Sequence, residues 1–265
     1  MTSQLKLAIA GCTGRMGLTL VKAVLADARF TLVAGSERPG FDCAQAAVLL
    51  GTVGAAHLPV TSDTDKLFSQ AHCVIDFTAP ANSLAVAEAA AARGAIHIVG
   101  TTGFSADEQA QLQGYAQHAR IVQSGNFSLG VNLLAALVEQ AAKALDDRYD
   151  IELFEMHHKH KKDAPSGTAL MLGRAAAKGR GVDFESKKKL DRDGERRRGD
   201  IGFSVARGGD VVGIHDVMLA GPGETITLSH QGFDRSIYVS GALAAALWAK
   251  DQKPGLYSMR DVLGF

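Results

Sequence analysis

A strand-like run, Leu5–Ala10, passes without a break into Gly11-Cys12-Thr13-Gly14-Arg15-Met16-Gly17, and an apolar-periodic stretch, Met16–Ala26, follows. Three glycines in seven residues between a strand and a helix leave few folds open. The chain has to turn tightly there, and the helix start has to pack close to the strand. The spacing G-x-x-G-x-x-G is one residue wider at its start than the common dinucleotide fingerprint G-x-G-x-x-G. The physics survives that change. Glycine lets backbone approach a pyrophosphate, and the helix start offers free N–H groups and the positive end of a dipole. Gly17 is the residue expected to let helix and strand touch. Standing alone, the motif also describes an ordinary strand-to-helix turn, so its surroundings decide.

Those surroundings repeat the same unit. Strands are expected at Leu5–Ala10, Phe30–Gly35, Cys73–Phe77, Ala95–Val99 and Ile121–Gln123, with crossover helices at Met16–Ala26, Ser83–Ala92 and Ala106–His118. This is the βαβ pattern of a parallel sheet. After Asn126 the texture changes to a long apolar helix, Leu129–Leu145, then strand Ile151–Met156 and a His/Lys cluster. A helix from Pro165 through Leu172 comes next. Runs at Ile201–Ala206, Asp210–Met218 and Thr225–His230 read as antiparallel strands joined by Gly-rich turns, which predicts a second domain of α+β type. The Ala-rich helix Ser240–Lys250 is placed back on the first domain.

Composition narrows the classes. Among 265 residues, 28 basic and 28 acidic side chains give 28 − 28 = 0, which argues against an electrostatically driven binder of nucleic acid or anionic membrane. At 46% hydrophobic and 21% charged, the chain can bury a core. No apolar stretch approaches the roughly 20 residues of a membrane span. The segment Met1–Lys6 lacks signal-peptide features, so a cytoplasmic protein is expected. Cys12, Cys43 and Cys73 have neither disulfide nor zinc-ribbon spacing. The charged run Lys187–Arg198 reads as a solvated loop rather than a nucleic-acid patch, because no aromatic residue is interleaved for stacking; anion capture is a third reading.

Glu37 lies 20 residues beyond Gly17, at the end of the second strand, where an acid accepts hydrogen bonds from the adenosine ribose. Its neighbour Arg38 suits a 2′-phosphate, so the pair suggests tolerance of both NADH and NADPH. Two further turns, Asp76–Pro80 and Gly100-Thr101-Thr102-Gly103, follow strands at the edge where open α/β sheets bind ligands. Ser124-Gly125-Asn126-Phe127 ends the next strand in the same way.

The richest chemistry lies in Glu155–Thr168, which holds His157, His158, His160, Lys159, Lys161 and Lys162. His158 and His160 are expected on one strand face, the geometry of a metal site. Adjacent lysines repel a divalent cation, and no H-E-x-x-H pattern occurs, so no metal is expected. Clustered cations depress one another's pKa values, so a Lys or His here is suited to donate a proton. Pro165-Ser166-Gly167-Thr168 then opens a helix whose N–H groups suit a carboxylate, and together these features imply an acidic substrate.

The segment Glu155–Ala169, with H-H-x-x-K-x-D-A-P-S-G-T-A, closely resembles the 4-hydroxy-tetrahydrodipicolinate reductases, long called dihydrodipicolinate reductases. So do G-x-x-G-R-M-G at Gly11–Gly17, G-T-T-G at Gly100–Gly103, Arg207–His215 and Tyr257–Leu263, covering essentially the whole chain. The resemblance implies a Rossmann-like dinucleotide-binding domain at 1–127 and 236–265, with a central α+β domain at 128–235 for substrate binding and tetramerisation. It also implies hydride transfer from NADH or NADPH to a cyclic unsaturated imine dicarboxylate, on the diaminopimelate route to lysine, by a homotetramer. By position, His157 matches the family's proton donor/acceptor and Lys161 its proton donor, while His158, Gly167 and Thr168 match substrate contacts. Cofactor contacts carry over to Gly11, Cys12, Thr13, Gly14, Arg15, Met16, Gly17, Glu37, Arg38, Gly100, Thr101, Thr102, Ser124, Gly125, Asn126 and Phe127. Two departures touch detail: Ala79 stands where some relatives carry a basic residue, and Lys162 where an apolar one is familiar. A non-catalytic dinucleotide sensor and a sugar or polyol dehydrogenase are the competing classes.

Overall fold

The computed structural model describes residues 4–190 and 193–265. The N-terminal residues Met1–Ser3 and, in the charged run, Asp191 and Arg192 lie outside the described residues. In chain order the elements are β1 Leu5–Ala10, α1 Arg15–Leu25, β2 Phe30–Ser36, α2 Cys43–Gly51, β3 Val60–Thr61, α3 Thr64–Leu67, β4 Cys73–Asp76, α4 Pro80–Ala91, β5 Ile96–Val99, α5 Ala106–Tyr115 and β6 Arg120–Gln123. There follow α6 Leu129–Ala144, β7 Asp150–His157, α7 Gly167–Arg180, α8 Phe184–Lys187, β8 Lys188–Lys189, β9 Ile201–Arg207, β10 Gly213–Gly221, β11 Glu224–Gly232, α9 Ser236–Ala249, β12 Gly255–Tyr257 and α10 Met259–Leu263. They form two compact units, one of Met1–Phe127 with Tyr238–Gly264 and one built on Ser128–Ile237.

The first unit is a parallel seven-stranded sheet in the order β12-β6-β5-β4-β1-β2-β3. The chain runs outward from β1 through β2 and β3, then returns to β4 on the other side of β1. That reversal opens a crevice at the carboxyl edge of β1 and β4, the place where open α/β sheets receive ligands. The strands are buried on both faces, so they read as nearly continuous apolar runs. In α9, Gly241 passes so close to Phe127 that a Cβ would stand 1.6 Å from its carbonyl oxygen.

The second unit is a five-stranded sheet in the order β11-β10-β7-β9-β8. Along β7 burial alternates with period two, and Ile151 and Leu153 pack on one face with Leu134 and Val138 of α6 and Leu172 and Ala176 of α7. The opposite face carries Phe154 and Met156 of β7 with Ile214 and Met218 of β10, all only partly buried within the chain.

Several elements differ from the sequence reading. The strand expected at Ile201–Ala206 spans Ile201–Arg207 and runs opposite to β10, but it does not pair with β10: it pairs in parallel with β7, which lies between them. The Gly208-Gly209 turn therefore joins strands that are not neighbours, and only long-range pairing could decide this. The strand expected at Asp210–Met218 begins at Gly213 and continues to Gly221. The helix expected to end at Leu172 runs on to Arg180, where Gly181 in the left-handed conformation stops it. Helices α2 and α3 and the edge strands β3 and β12 were not anticipated, being short and weakly patterned. The charged run is not uniformly a solvated loop: Arg196 pairs with Asp150 and Glu152 at 3.2 and 3.1 Å.

Candidate active site

In the first unit the glycine turn is built as its spacing requires. Gly11 sits at φ +66°, and a Cβ at Gly17 would meet the Gly11 carbonyl oxygen at 2.0 Å. Helix α1 therefore touches the strand end only because residue 17 has no side chain. Gly14 is the N-cap and no side chain caps the helix, in contrast to α5 and α7, which Ser105 and Ser166 cap. An uncapped helix start lined by glycine suits a pyrophosphate in shape and polarity. The Thr13 N–H and hydroxyl both donate to Oε1 of Glu37, at 2.8 and 2.6 Å, which fixes the carboxylate beside the turn. Arg38 is exposed next to it. Cys12 is buried against Gly35, and burial, followed by the Glu37 charge, pushes its thiol up to about 12, so it stays neutral and acts as packing.

The strand-end turns expected to join this site do lie along one edge. A Cβ at Gly11 would meet Thr78 at 2.8 Å, one at Gly100 the Phe77 ring at 2.2 Å, and one at Gly125 would contact Thr102 at 3.8 Å. Phe77 and Phe127 stack in a tilted pair 5.6 Å apart. Ser124 is folded onto its own turn, its hydroxyl donating to the Asn126 carbonyl at 2.6 Å. Beneath these turns lies a buried network that sequence reasoning missed. Asp76 and His97, both fully buried, pair at 3.3 Å. Asp76 also accepts from the Thr78 N–H and hydroxyl at 2.9 and 2.6 Å, and Ser83 and Thr101 share a hydrogen bond of 2.8 Å. Burial pushes the Asp76 carboxyl upward, but hydrogen bonds and charge from His97, with Ser83 and Thr78, outweigh it and leave the pKa lowered. The turns after β4 and β5 are thus cross-linked from inside the sheet.

In the second unit the apolar stripe of β7 becomes polar at its end: after Ile151 and Leu153, the same inward face carries Glu155 and His157. Glu155 is 1% exposed, yet four donors meet its two oxygens. Oε2 lies 2.5 Å from Nδ1 of His157 and accepts from Arg207 at 2.9 Å; Oε1 accepts from the Ser166 N–H and from Arg207, each at 2.9 Å. Burial raises the Glu155 pKa, but these bonds outweigh it and hold the carboxyl below its ordinary range. For His157, burial dominates and lowers the pKa; Glu155 opposes this, and Lys161 and Arg207 add to it. His215 stands edge-on to His157 at 5.0 Å, and burial, reinforced by the His157 charge, pushes it down to about 4.

Beyond His157 the chain leaves the sheet. His158 and His160 do not share a strand face, because β7 ends at His157 and both fall in the following turn, their rings 6.3 Å apart. Nδ1 of His158 is buried without a hydrogen-bond partner among the described residues. Lys161 Nζ lies 2.9 Å from the Asp163 carboxylate. Burial raises the Asp163 pKa, but Lys161, with smaller help from backbone N–H groups that include Gly167 at the start of α7, leaves it lowered. Lys162 is exposed. Glu155, Arg207 and His215 carried no assigned role in the sequence, and Ser166 only that of opening and capping the helix. The signal that could have found them is the acid and histidine that continue an inward-facing apolar stripe.

Known proteins match this chain over its whole length. Models of the dihydrodipicolinate reductase N-terminus and C-terminus match residues 5–127 and 130–263. A 4-hydroxy-tetrahydrodipicolinate reductase from Rhizobium rhizogenes is 52% identical over 266 residues, covering 98% of this chain and 97% of the relative. One from Dinoroseobacter shibae is 53% identical over 260 residues, covering 97% of each. Among solved structures, a dipicolinate-bound dihydrodipicolinate reductase from a Paenisporosarcina species aligns with a TM-score of 0.79 at 22% identity, covering 97% of this chain and 98% of that one. A Lactobacillus casei scyllo-inositol dehydrogenase with bound NAD(H) shares the fold at a TM-score of 0.61 and 12% identity, covering 98% and 93%.

Proposed function

The chain belongs to the dihydrodipicolinate reductase family, and from that premise we propose that it reduces 4-hydroxy-tetrahydrodipicolinate, by way of dihydrodipicolinate, to tetrahydrodipicolinate in lysine biosynthesis. Loss of the hydroxyl as water gives the unsaturated ring, and addition of one hydride and one proton completes the reduction. The hydride comes from a bound reduced nicotinamide dinucleotide, NADH or NADPH. Residues Gly11–Gly17 hold its pyrophosphate on α1, Glu37 and Arg38 its adenosine ribose, and Gly100–Thr102 with Ser124–Phe127 its nicotinamide end.

The observation that carries the substrate reading is the Lys161–Asp163 ion pair at 2.9 Å, a carboxylate held by the lysine that follows the buried His157 and precedes the start of α7. A dicarboxylate substrate takes that place by displacing Asp163, with Gly167 and Thr168 receiving it at the helix start and His158 adding a contact. Lys161 donates a proton, and His157 donates or accepts one at Nε2. The protein acts in the cytoplasm as a homotetramer, its subunits joining through the sheet face that carries Phe154, Met156, Ile214 and Met218; neither nucleic acid nor membrane takes part.

The experiment follows loss of reduced nicotinamide absorbance when the purified protein meets substrate formed freshly from pyruvate and aspartate semialdehyde, with NADH and NADPH in parallel. Consumption of either cofactor is expected. A folded, cofactor-binding sample that consumes neither would overturn the enzymatic reading in favour of a dinucleotide sensor.

A further inference from the structure

We propose that Glu155 is a positioning residue for His157: it fixes the tautomer and the plane of the imidazole, and it ties that ring to the N-terminus of α7 that receives the substrate carboxylate. This rests on the reading of His157 as the proton donor/acceptor. An ionised carboxylate only accepts, and Glu155 is held in that form by three other donors, the Ser166 N–H and Arg207 bidentate across both oxygens. The 2.5 Å contact from Oε2 to Nδ1 therefore requires the proton to sit on Nδ1. Neutral His157 then presents an unprotonated Nε2 and the imidazolium an Nε2–H, so the substrate-facing nitrogen is the one that gains and loses the proton. On the β10 side Gly213 leaves room beside Nε2, since a Cβ there would come within 3.1 Å of it.

The same carboxylate takes the Ser166 N–H at 2.9 Å, and the Ser166 hydroxyl caps α7 through the Ala169 N–H at 3.1 Å. One side chain thus spaces the proton donor from the anion-binding helix start, through bonds made inside the unit. A purely structural role predicts something else. A buried ion cluster is no more stable than an apolar replacement of the same shape, and Ile151 and Leu153 show that this stripe otherwise takes apolar residues.

The groups facing His157 are Glu155 from its own strand, Lys161 from the following turn, Arg207 from β9 and His215 from β10. Glu155 alone favours the imidazolium. Its neutralisation in Glu155→Gln leaves only influences that disfavour the charged ring, so the ionisation of His157 moves to lower pH.

The test measures kcat and KM against pH for wild type, Glu155→Gln, His157→Gln and the double variant. Glu155→Gln is expected to lower kcat roughly 10- to 100-fold, with little change in the KM for cofactor, and to move the His157 limb of the profile to lower pH. In a His157→Gln background the same change should cost almost nothing further in kcat. Wild-type kcat and profile in Glu155→Gln, with turnover lost in His157→Gln, would overturn the inference and leave the His157 reading intact. Turnover surviving in His157→Gln would instead remove His157 and the inference together. Should Glu155→Gln fail to fold, imidazole nitrogen NMR of the wild-type protein decides: neutral His157 is expected as the Nδ1–H tautomer, and the Nε2–H tautomer would refute the proposal.

Discussion

A methyl group at position 17 would stand 2.0 Å from the Gly11 carbonyl oxygen and 2.7 Å from the Cys12 carbonyl carbon, both of them backbone. Nothing there can yield without moving α1 off the strand end. Gly17→Ala is therefore expected to leave a folded second unit but to weaken dinucleotide binding at least about tenfold, equivalent to about 1.4 kcal/mol, as titration calorimetry would register. Unchanged affinity would mean that the pyrophosphate does not use this turn. Arg38 is a different kind of residue, exposed and beside a carboxylate already engaged by Thr13. If its guanidinium meets a 2′-phosphate, Arg38→Ala weakens NADPH more than NADH; equal losses would exclude that contact. The positions of these residues were legible in the sequence because glycine spacing and a strand-end acid are local signals. The Asp76–His97 pair was not, since its partners come from neighbouring strands that only the sheet brings side by side.

At the scale of elements, β7, β9, β10 and the start of α7 concentrate ionisable groups under a small area of sheet, and this makes the second unit sensitive to pH. His215 on β10 has its pKa pushed down to about 4 by burial and the nearby His157 charge. Between that value and the ordinary 6.5 the unfolded chain binds a proton that the folded one refuses, so stability falls as pH drops through this window. His157 and His230 are shifted in the same direction. Glu155 and Asp76 have lowered pKa values, so the stability they contribute persists above the ordinary carboxylate range and is lost only on further acidification. Urea midpoints of wild type should thus decline between about pH 6.5 and pH 4, and those of His215→Gln should decline less. Parallel declines would show that His215 does not carry the effect. Element identity was largely readable from period: continuous apolar runs for the buried parallel strands, alternation for β7. Strand pairing was not. Gly208-Gly209 looks like a hairpin turn, yet β9 pairs with β7 in parallel, because pairing is settled by which faces can be buried under α6 and α7.

For the molecule as a whole, the half-buried Phe154, Met156, Ile214 and Met218 lie on the sheet face opposite α6 and α7. Sedimentation equilibrium is expected to give a tetramer, and Met218→Glu to shift it towards smaller species while leaving far-UV circular dichroism unchanged; a wild-type monomer would refute the assembly. Taken by itself, the sequence determined the parallel α/β unit, the change of texture after Asn126, the glycine cradle with its strand-end acid, and the His/Lys segment that opens α7. Each is written in neighbouring residues, through side-chain period, turn geometry and motif spacing. Only the tertiary structure decided that Glu155, Ser166, Arg207 and His215, drawn from four separate segments, close around His157. That choice rests on burial: a carboxylate with four donors is stable in the interior only where two strands and a helix start deliver those donors to one point, and no local pattern encodes such a meeting.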